Sequence, residues 1–213
     1  MTTAKRHKNM TTGIWAIIWF TISYMAIASL ISIQTQNWEF IVYIVVVLVI
    51  GLVTLVVHRS VGLSVGVLAC LSAWGLLHML GGLAHLPADW PSEGTKHVLY
   101  SWWLIPNYLK FDNIVHTFGF ATATWVCWQA VKQALAIRVP RFGVLTMCAL
   151  AGMGLGSINE VIEFITTLII PNTNVGGFAN TGWDLTCNMI GAIGTVLIIY
   201  YWPRPKRSKA NLS

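Results

Sequence analysis

Residues 40–57 read FIVYIVVVLVIGLVTLVV, a stretch with no charged residue and no proline. A helix that spans a membrane needs about 20 consecutive apolar residues, and this run is close to that length. The whole chain has a similar character, because 56% of its 213 residues are hydrophobic, 9% are charged and the mean hydropathy is +0.68. Ordinary soluble domains carry about 25% charged residues. The sequence therefore predicts an integral membrane protein.

Further apolar blocks lie on both sides of this stretch. Together they predict an all-α, polytopic helix bundle with six transmembrane helices, at residues 13–33, 40–57, 61–82, 111–131, 142–170 and 183–202. No linker divides the chain, so residues 1–213 are expected to form a single membrane domain. The basic start followed by Ala26-Ile27-Ala28 also resembles a signal peptide. The apolar run continues to Ile33, however, which favours a retained helix.

Lysine and arginine concentrate in alternate connections, and basic connections near helix ends are retained in the cytoplasm. The basic residues of these segments are Lys5, Arg6, Lys8, Arg59, Lys132, Arg138, Arg141, Arg204, Lys206, Arg207 and Lys209. Both termini are therefore predicted to lie in the cytoplasm, and the loop 83–110 outside it. The net charge of +6 lies on these flanks, where anionic lipid headgroups account for it. We expect no binding to nucleic acid.

Acidic residues are scarce, yet most of them fall within or at the edges of predicted spans. These are Asp112, Glu160, Glu163 and Asp184, four of the seven acidic residues in the chain. A carboxylate in the membrane interior costs at least ~2.5 kcal/mol unless something compensates it. Such residues are therefore candidates for a functional site.

Residue spacing places these side chains on coherent helix faces. On three predicted helices, two polar residues three or four positions apart share one face, namely Asp112 with His116, Glu160 with Glu163, and Asp184 with Asn188. The predicted topology puts these pairs in the outer half of the membrane, together with His78. Asn159 and the loop residue His85 extend the polar cluster. We expect a funnel-shaped cavity that opens to the exterior.

Four short blocks carry a family resemblance. In chain order they are LLHMLGG (76–82), FDNIVHTFGF (111–120), GSINEVIEF (156–164) and GWDLTCNMIGAIG (182–194). This ordered set resembles the YjdF-type family of bacterial inner-membrane proteins, and the last three blocks are similar to the wider VanZ-like pattern. The resemblance implies a helix bundle in the cytoplasmic membrane but no reaction, since the family offers no established biochemistry to carry over. The first two helices carry no part of it.

The resemblance also implies which positions matter. The family's acidic and histidine positions correspond to His78, Asp112, His116, Glu160, Glu163, Asp184 and Asn188. The family pattern has an acidic residue where this chain has Asn188. That departure removes one anionic ligand and counts against a site for two metal ions.

Three interpretations of the cluster stay open. The first is a site for a divalent metal, Zn²⁺, Mn²⁺ or Fe²⁺, because carboxylates and imidazoles are suitable ligands and the negative excess needs a cation. Its ligands would be His78, Asp112, His116, Glu160, Glu163 and Asp184. In the second interpretation the carboxylates share protons and form hydrogen bonds with the nearby histidines and asparagines. In the third, the polar pairs only hold helices together.

The function follows loosely from these interpretations, and whether the protein is an enzyme stays open. An outward metal site could activate water, with Glu160 or Glu163 as base or acid, on a lipid-linked or other envelope headgroup. The sequence lacks the HExxH and ExxH motifs of metalloproteases and ferritin-like di-iron proteins. The alternative class is a proton- or cation-coupled binding or transport protein, although no inverted repeat is visible. Membrane lipids are the expected partners.

Overall fold

The computed structural model describes residues 11–94 and 96–202. Within these ranges the chain forms six α-helices: α1 (Thr12–Gln34), α2 (Trp38–Val61), α3 (Val65–Leu83), α4 (Phe111–Ala134), α5 (Phe142–Ile169) and α6 (Phe178–Tyr201). The predicted helical bundle is confirmed. In the described part of the chain, five helices, all except α4, are long and apolar enough to cross a membrane. The terminal basic residues that supported the orientation lie outside the described residues, namely Lys5, Arg6, Lys8, Arg204, Lys206, Arg207 and Lys209.

The boundary between α2 and α3 lies later in the chain than the sequence predicted. The predicted turn at residues 58–60 is wrong, because α2 continues through them. The helix ends at Gly62, whose φ of 69° is a left-handed conformation that favours glycine. Ser64 then begins α3 by accepting a hydrogen bond from the backbone N–H of Val67. Hydropathy placed the boundary at charged residues, whereas the capping residues determine it.

The start of α6 also differs from the prediction. The helix begins at Phe178 rather than at residue 183, because residues 178–182 are too polar and small for hydropathy to include them. Their extra turn is held by the side chain of Asn180, which accepts a hydrogen bond from Lys110 and donates one to Asp184. Asp184 therefore lies in the second turn of α6, not at its beginning.

The long connection between α3 and α4 folds over one end of the bundle, which we name the loop end. It contains a 3₁₀ turn (Leu99–Ser101) and a short antiparallel hairpin of β1 (Trp103–Ile105) and β2 (Leu109–Lys110). Two contacts join the three connections that meet here. Lys96 Nζ donates to the carbonyl oxygen of Asn172 at 2.6 Å, and the backbone N–H of Asn174 donates to Glu39 Oε2 at 2.7 Å.

The opposite end, which we name the turn end, gathers the remaining connections. The backbone N–H of Ser64 donates to Oε1 of Gln129, near the end of α4, at 2.8 Å. The start of α1 lies here too, because a Cβ placed on Gly13 would be 3.3 Å from Val65 at the start of α3. Successive helices therefore run in alternate directions between the two ends.

The closest helix pair is α4 with α6. The backbone of Gly191 faces the Thr117 carbonyl and Ala121, where any larger side chain would overlap the α4 backbone. Thr195 Oγ1 donates to the Ala121 carbonyl oxygen at 3.1 Å. Because glycine and hydroxyl groups permit this approach, the polar faces of α4 and α6 lie directly against each other.

Helix α5 packs on this pair through small residues. Gly152 faces Thr124 of α4, and Gly156 faces Asn188 of α6, at the GxxxG spacing that lets helices approach closely. At the turn end the three helices enclose an apolar core of Trp128, Leu145 and Cys148. A second core of aromatic and aliphatic side chains holds α1, α2 and α3 together, with Tyr24, Met25, Ala28, Phe40, Tyr43, Ile44 and Met79.

Candidate functional site

His116 lies at the centre of the acidic side chains of α4, α5 and α6. Its Nε2 is 3.5 Å from Asp112 Oδ1 and 3.9 Å from Asp184 Oδ1. Its Nδ1 is 3.7 Å from Glu160 Oε1. Two groups share this imidazole: His116 with Asp112 and Asp184, and His116 with Glu160 and Glu163, with ligand atoms in each group within 4.8 Å of one another. We name these five residues the carboxylate cluster.

The local sequence explains why these side chains meet. The spacing of Asp112 and His116 puts them on the same face of α4, and Glu160 and Glu163 likewise share a face of α5. The close approach of α6 at Gly191 and of α5 at Gly156 then leaves no room for apolar side chains between the faces. The structure thus brings together five of the six predicted metal ligands, at the loop end.

Asp184 is the most constrained member of the cluster. It is fully buried, and its two oxygens accept hydrogen bonds from Asn113 Nδ2 at 3.3 Å and Asn180 Nδ2 at 2.5 Å. Asn180 in turn accepts from the buried Lys110, which also bonds to Glu93 at 2.7 Å. Such outer hydrogen bonds fix the orientation of a carboxylate that binds a ligand. The lysine therefore reaches the cluster through an amide rather than directly.

In the described structure Glu160 is buried without a hydrogen bond, although its Oε1 lies 3.7 Å from His116 Nδ1. Neither of its carboxylate oxygens has a hydrogen-bond partner among the described residues, and the same holds for Nδ2 of Asn188. Glu163 differs, since its Oε1 accepts a hydrogen bond from Asn159 at 2.8 Å. Within the described ranges, His116 is the only basic side chain at ion-pair distance from any carboxylate of the cluster. Buried carboxylates without partners are unfavourable, so either a cation or bound protons would stabilise the cluster.

His78 lies beside the carboxylate cluster in an aromatic setting. Its ring packs among the rings of Phe40, Tyr43, Trp74 and Tyr100, at centroid distances between 5.4 and 6.2 Å. The Tyr100 hydroxyl forms a hydrogen bond with His78 Nδ1. Burial, together with nearby carboxylates, raises the pKa of the Tyr100 phenol well above its ordinary value. The phenol therefore stays protonated, and it holds His78, which is not in either ligand group, by this hydrogen bond.

The family of the chain follows from a comparison with family models. Residues 14–205 match the model described as a predicted membrane protein, DUF2238. The chain belongs to this family. The YjdF-type resemblance is thereby confirmed, since YjdF is a member of the family, while the match does not bear on the VanZ-like pattern. It also includes the first two helices, so the narrower extent expected for the resemblance was wrong. Searches of curated proteins and of solved structures found no match.

Three cavities surround the candidate site of this DUF2238 member. An inner cavity of about 30 Å³ touches His78, Tyr100, Asp112 and Glu163, which is room for one or two water molecules. An outer cavity of about 270 Å³ also reaches Asp112. A side cavity of about 600 Å³ lies between the α1–α2 connection, the long loop and the end of α5. The outer and inner cavities share Asp112, and that they form a funnel open to the exterior stays a prediction.

The remaining predicted residue, His85, lies apart from the carboxylate cluster. It is exposed and lines the side cavity. Several residues of the site were not predicted. The sequence could have indicated Asn113 and Asn180 by their spacing. Asn113 lies three residues before His116, and Asn180 lies four residues before Asp184, each on the same helix face as its partner. Tyr100 and Glu39 carried none, because their partners come from distant parts of the chain.

Proposed function

We propose that the chain crosses the cytoplasmic membrane six times, with both termini inside and the loop end outside. Helix α4 is the sixth span, because its first turn lies at the loop end and Gln129 lies at the turn end. Its hydropathy is low because it carries polar side chains such as Thr122 and Thr124. These side chains are buried against neighbouring helices and so do not face lipid. The orientation rests on basic residues at the turn end, including Arg59 and Lys132.

Alkaline phosphatase fusions test this topology. Fusions joined after residue 108 or within residues 172–177 should be active, and those joined after residue 138 should be inactive. The expectation follows from the retention of basic connections in the cytoplasm. Activity of a fusion joined after residue 202 would contradict six spans and place the carboxylate cluster on the other side.

We further propose that the carboxylate cluster binds one divalent metal ion. The supporting observation is that its four carboxylates surround one imidazole without a contact to lysine or arginine in the described residues. Asn188 Oδ1 lies 3.1 Å from His116 Nδ1. An amide oxygen can only accept a hydrogen bond, so this contact requires the hydrogen on Nδ1, and in the neutral ring Nε2 then presents its lone pair to the metal.

This tautomer assigns the metal to the group of His116 Nε2, Asp112 and Asp184. Two carboxylates and an imidazole suit Zn²⁺, Mn²⁺ or Fe²⁺, and they leave positions open for water or substrate. Glu160 and Glu163 then lie on the Nδ1 side of the ring. They stay available as proton acceptors, and Glu160 has both oxygens free for that role in the described structure.

The reaction we propose is hydrolysis or transfer of a headgroup on a lipid or other envelope substrate. A metal ion held by His116, Asp112 and Asp184 would lower the pKa of water and polarise the group under attack. Glu160 or Glu163 takes a proton from the water molecule, and the oxygen of that water forms a bond to phosphorus or carbon of the substrate. The bond to the leaving oxygen breaks, and that oxygen receives the proton from the glutamate.

Elemental analysis of detergent-purified protein tests the metal proposal. We expect about one divalent metal per chain, a lower melting temperature after treatment with EDTA, and recovery when metal is added back. Asp112→Ala and His116→Ala should abolish both the metal and the recovery. His58→Ala is the matched control, because His58 is as buried as His116 (6% exposed each) but lies at the turn end.

The opposite result would favour the rival class of function. Protein purified without chelator that contains no stoichiometric metal, and whose melting EDTA does not change, would indicate carboxylates neutralised by protons. A proton-coupled binding or transport protein would then be the better proposal. Metal-dependent stability without turnover of any lipid would instead indicate cation binding or transport.

A further inference from the structure

The side cavity combines an apolar wall with hydrogen-bond donors. The wall includes Ile31 and Trp38, whose side chains are exposed on the outer surface of the bundle. The opposite side comes from the long loop, with His85, Lys96 and His97. A surface of this kind at the end of membrane-spanning helices lies at the level of lipid headgroups, where tryptophan is common.

The donors on the loop side are only partly occupied. The Lys96 side chain is 42% exposed, and its Nζ donates to the Asn172 carbonyl oxygen at 2.6 Å. Nζ lies 3.5 Å from Glu39 Oε2, which is long for a charged hydrogen bond, so the ammonium group can still donate to a ligand. The His85 imidazole is exposed and has no hydrogen-bond partner in the described structure. His97 Nδ1 lies 2.9 Å from Ser92 Oγ. Ammonium and imidazole groups on one wall favour an anionic ligand.

Only a thin partition separates the side cavity from the carboxylate cluster. Glu39 and Asn174 line both the side cavity and the inner cavity that touches Asp112 and Glu163. Lys96 lines both the side cavity and the outer cavity above Asp112. A ligand bound in the side cavity would therefore lie one residue layer from the proposed metal ligands.

We propose that the side cavity binds the phosphate-bearing headgroup of a membrane lipid. The phosphate accepts hydrogen bonds from Lys96 and His85, and the glycerol and first methylenes pack on Ile31 and Trp38. Glu39 competes with the phosphate for Lys96 in the absence of lipid. The inference rests on the proposed function and extends it, because it names a phospholipid as the substrate class of the neighbouring metal site.

Native mass spectrometry of the full-length protein in detergent tests this site. The probe is phosphatidylglycerol, compared with diacylglycerol, which lacks the phosphate, and with glycerol 3-phosphate, which lacks the acyl chains. Lys96→Ala should weaken phosphatidylglycerol binding by about tenfold to a hundredfold, the usual effect of losing a charged hydrogen bond. Lys132→Ala, an exposed lysine at the turn end, is the control and should leave binding unchanged.

A second variant separates this role from a structural one. Glu39→Gln should strengthen phosphatidylglycerol binding, because it removes the competitor for Lys96, whereas a merely destabilised loop would weaken it. Equal binding by Lys96→Ala and wild type, or weaker binding by Glu39→Gln, would overturn the proposal. So would equal affinity for diacylglycerol or for glycerol 3-phosphate.

The metal and lipid proposals can fail separately. Phosphatidylglycerol binding is therefore measured a second time in His116→Ala and after EDTA. Binding that still depends on Lys96 in protein without metal would support the lipid site while the metal proposal fails. Bound metal together with binding that does not depend on Lys96 would support the metal site while the lipid proposal fails.

Discussion

The two ends of helices α4, α5 and α6 are packed in opposite ways. At the loop end these helices bury His116, Glu160 and Asp184, whereas at the turn end the same helices bury Trp128 and Leu145. The helices are equally continuous at both ends, and glycine allows close approach between them. Apolar packing is therefore sufficient to join the three helices. This difference supports our proposal that the polar end does more than hold the helices together.

The hydrogen bonds at the loop end support the same conclusion. If polar side chains served as glue between helices, their donors and acceptors should be paired across the interface. Glu160 instead leaves both carboxylate oxygens without a partner, and Asn188 leaves Nδ2 unpaired, as far as the described residues extend. Unpaired buried polar groups cost stability. Among the described residues of α4, α5 and α6, such unpaired buried groups lie only at the loop end, so these three helices lose stability there.

The largest expected effect lies at the turn end. Trp128→Ala should lower the free energy of unfolding by about 3–5 kcal/mol, because it leaves a cavity in the apolar core. The metal content per folded protein should stay unchanged, since Trp128 and the carboxylate cluster lie at opposite ends of the bundle. Thermal melting in detergent and elemental analysis of the same sample measure both quantities. Loss of metal in this variant would mean that the two ends are coupled.

The next effect concerns the tautomer of His116. Asn188→Ala should weaken metal binding by about tenfold to a hundredfold, as expected when a ligand histidine loses its outer hydrogen bond. Asn159→Ala is the matched control, because Asn159 bonds to Glu163 on the other side of the ring. Competition with a coloured chelator measures both affinities. A larger loss of metal affinity in Asn159→Ala would indicate that the two glutamates bind the metal, rather than Asp112 and Asp184.

Much of the fold could be predicted because hydropathy and helix spacing are local signals. The apolar run at residues 40–57 indicates a span by itself, and Asp112 and His116 share a face in any helix. The ends of α2 and α6 could not be predicted in the same way. Gly62 ends α2 through its backbone conformation, and the side chain of Asn180 bonds across to Lys110, neither of which hydropathy detects.

The candidate site was also predictable only in part, namely in the residues that helix spacing brings together. Intramembrane carboxylates are unusual enough to indicate a site, and alternate helix directions place them at one end. The aromatic surroundings of His78 could not be predicted, because Tyr100 comes from a loop with no periodic pattern. The side cavity also depends on distant contacts. Glu39 and Asn174 are 135 positions apart in sequence, yet they form a hydrogen bond.

A smaller effect is expected at Tyr100. Tyr100→Phe removes one buried hydrogen bond to His78 and should cost about 1 kcal/mol of stability. The pKa of this phenol is raised in the folded protein, so above its unfolded value of about 10 the unfolded chain binds fewer protons. Wild-type stability should therefore fall more steeply than that of Tyr100→Phe above that pH. Parallel pH profiles of melting would contradict the burial of the phenol.

The smallest expected change in stability comes from the double variant Glu160→Leu, Glu163→Leu, measured in metal-free protein. Leucine keeps much of the volume of glutamate, and replacing buried ionisable groups with apolar ones is often neutral or stabilising. We expect a change within about 1 kcal/mol, because the losses are the hydrogen bond between Glu163 and Asn159 and the long 3.7 Å contact between Glu160 and His116. Any lipid turnover should be abolished, since the proposed proton acceptors are gone.

Leu145→Gln, the converse change in the apolar core, should instead cost about 1–3 kcal/mol. A double variant that melts much earlier than wild type would show that the glutamates hold the helices together. One that keeps full turnover would show that the glutamates take no part in proton transfer. A stable protein that has lost its activity is the result expected if the two glutamates serve proton transfer and not helix packing.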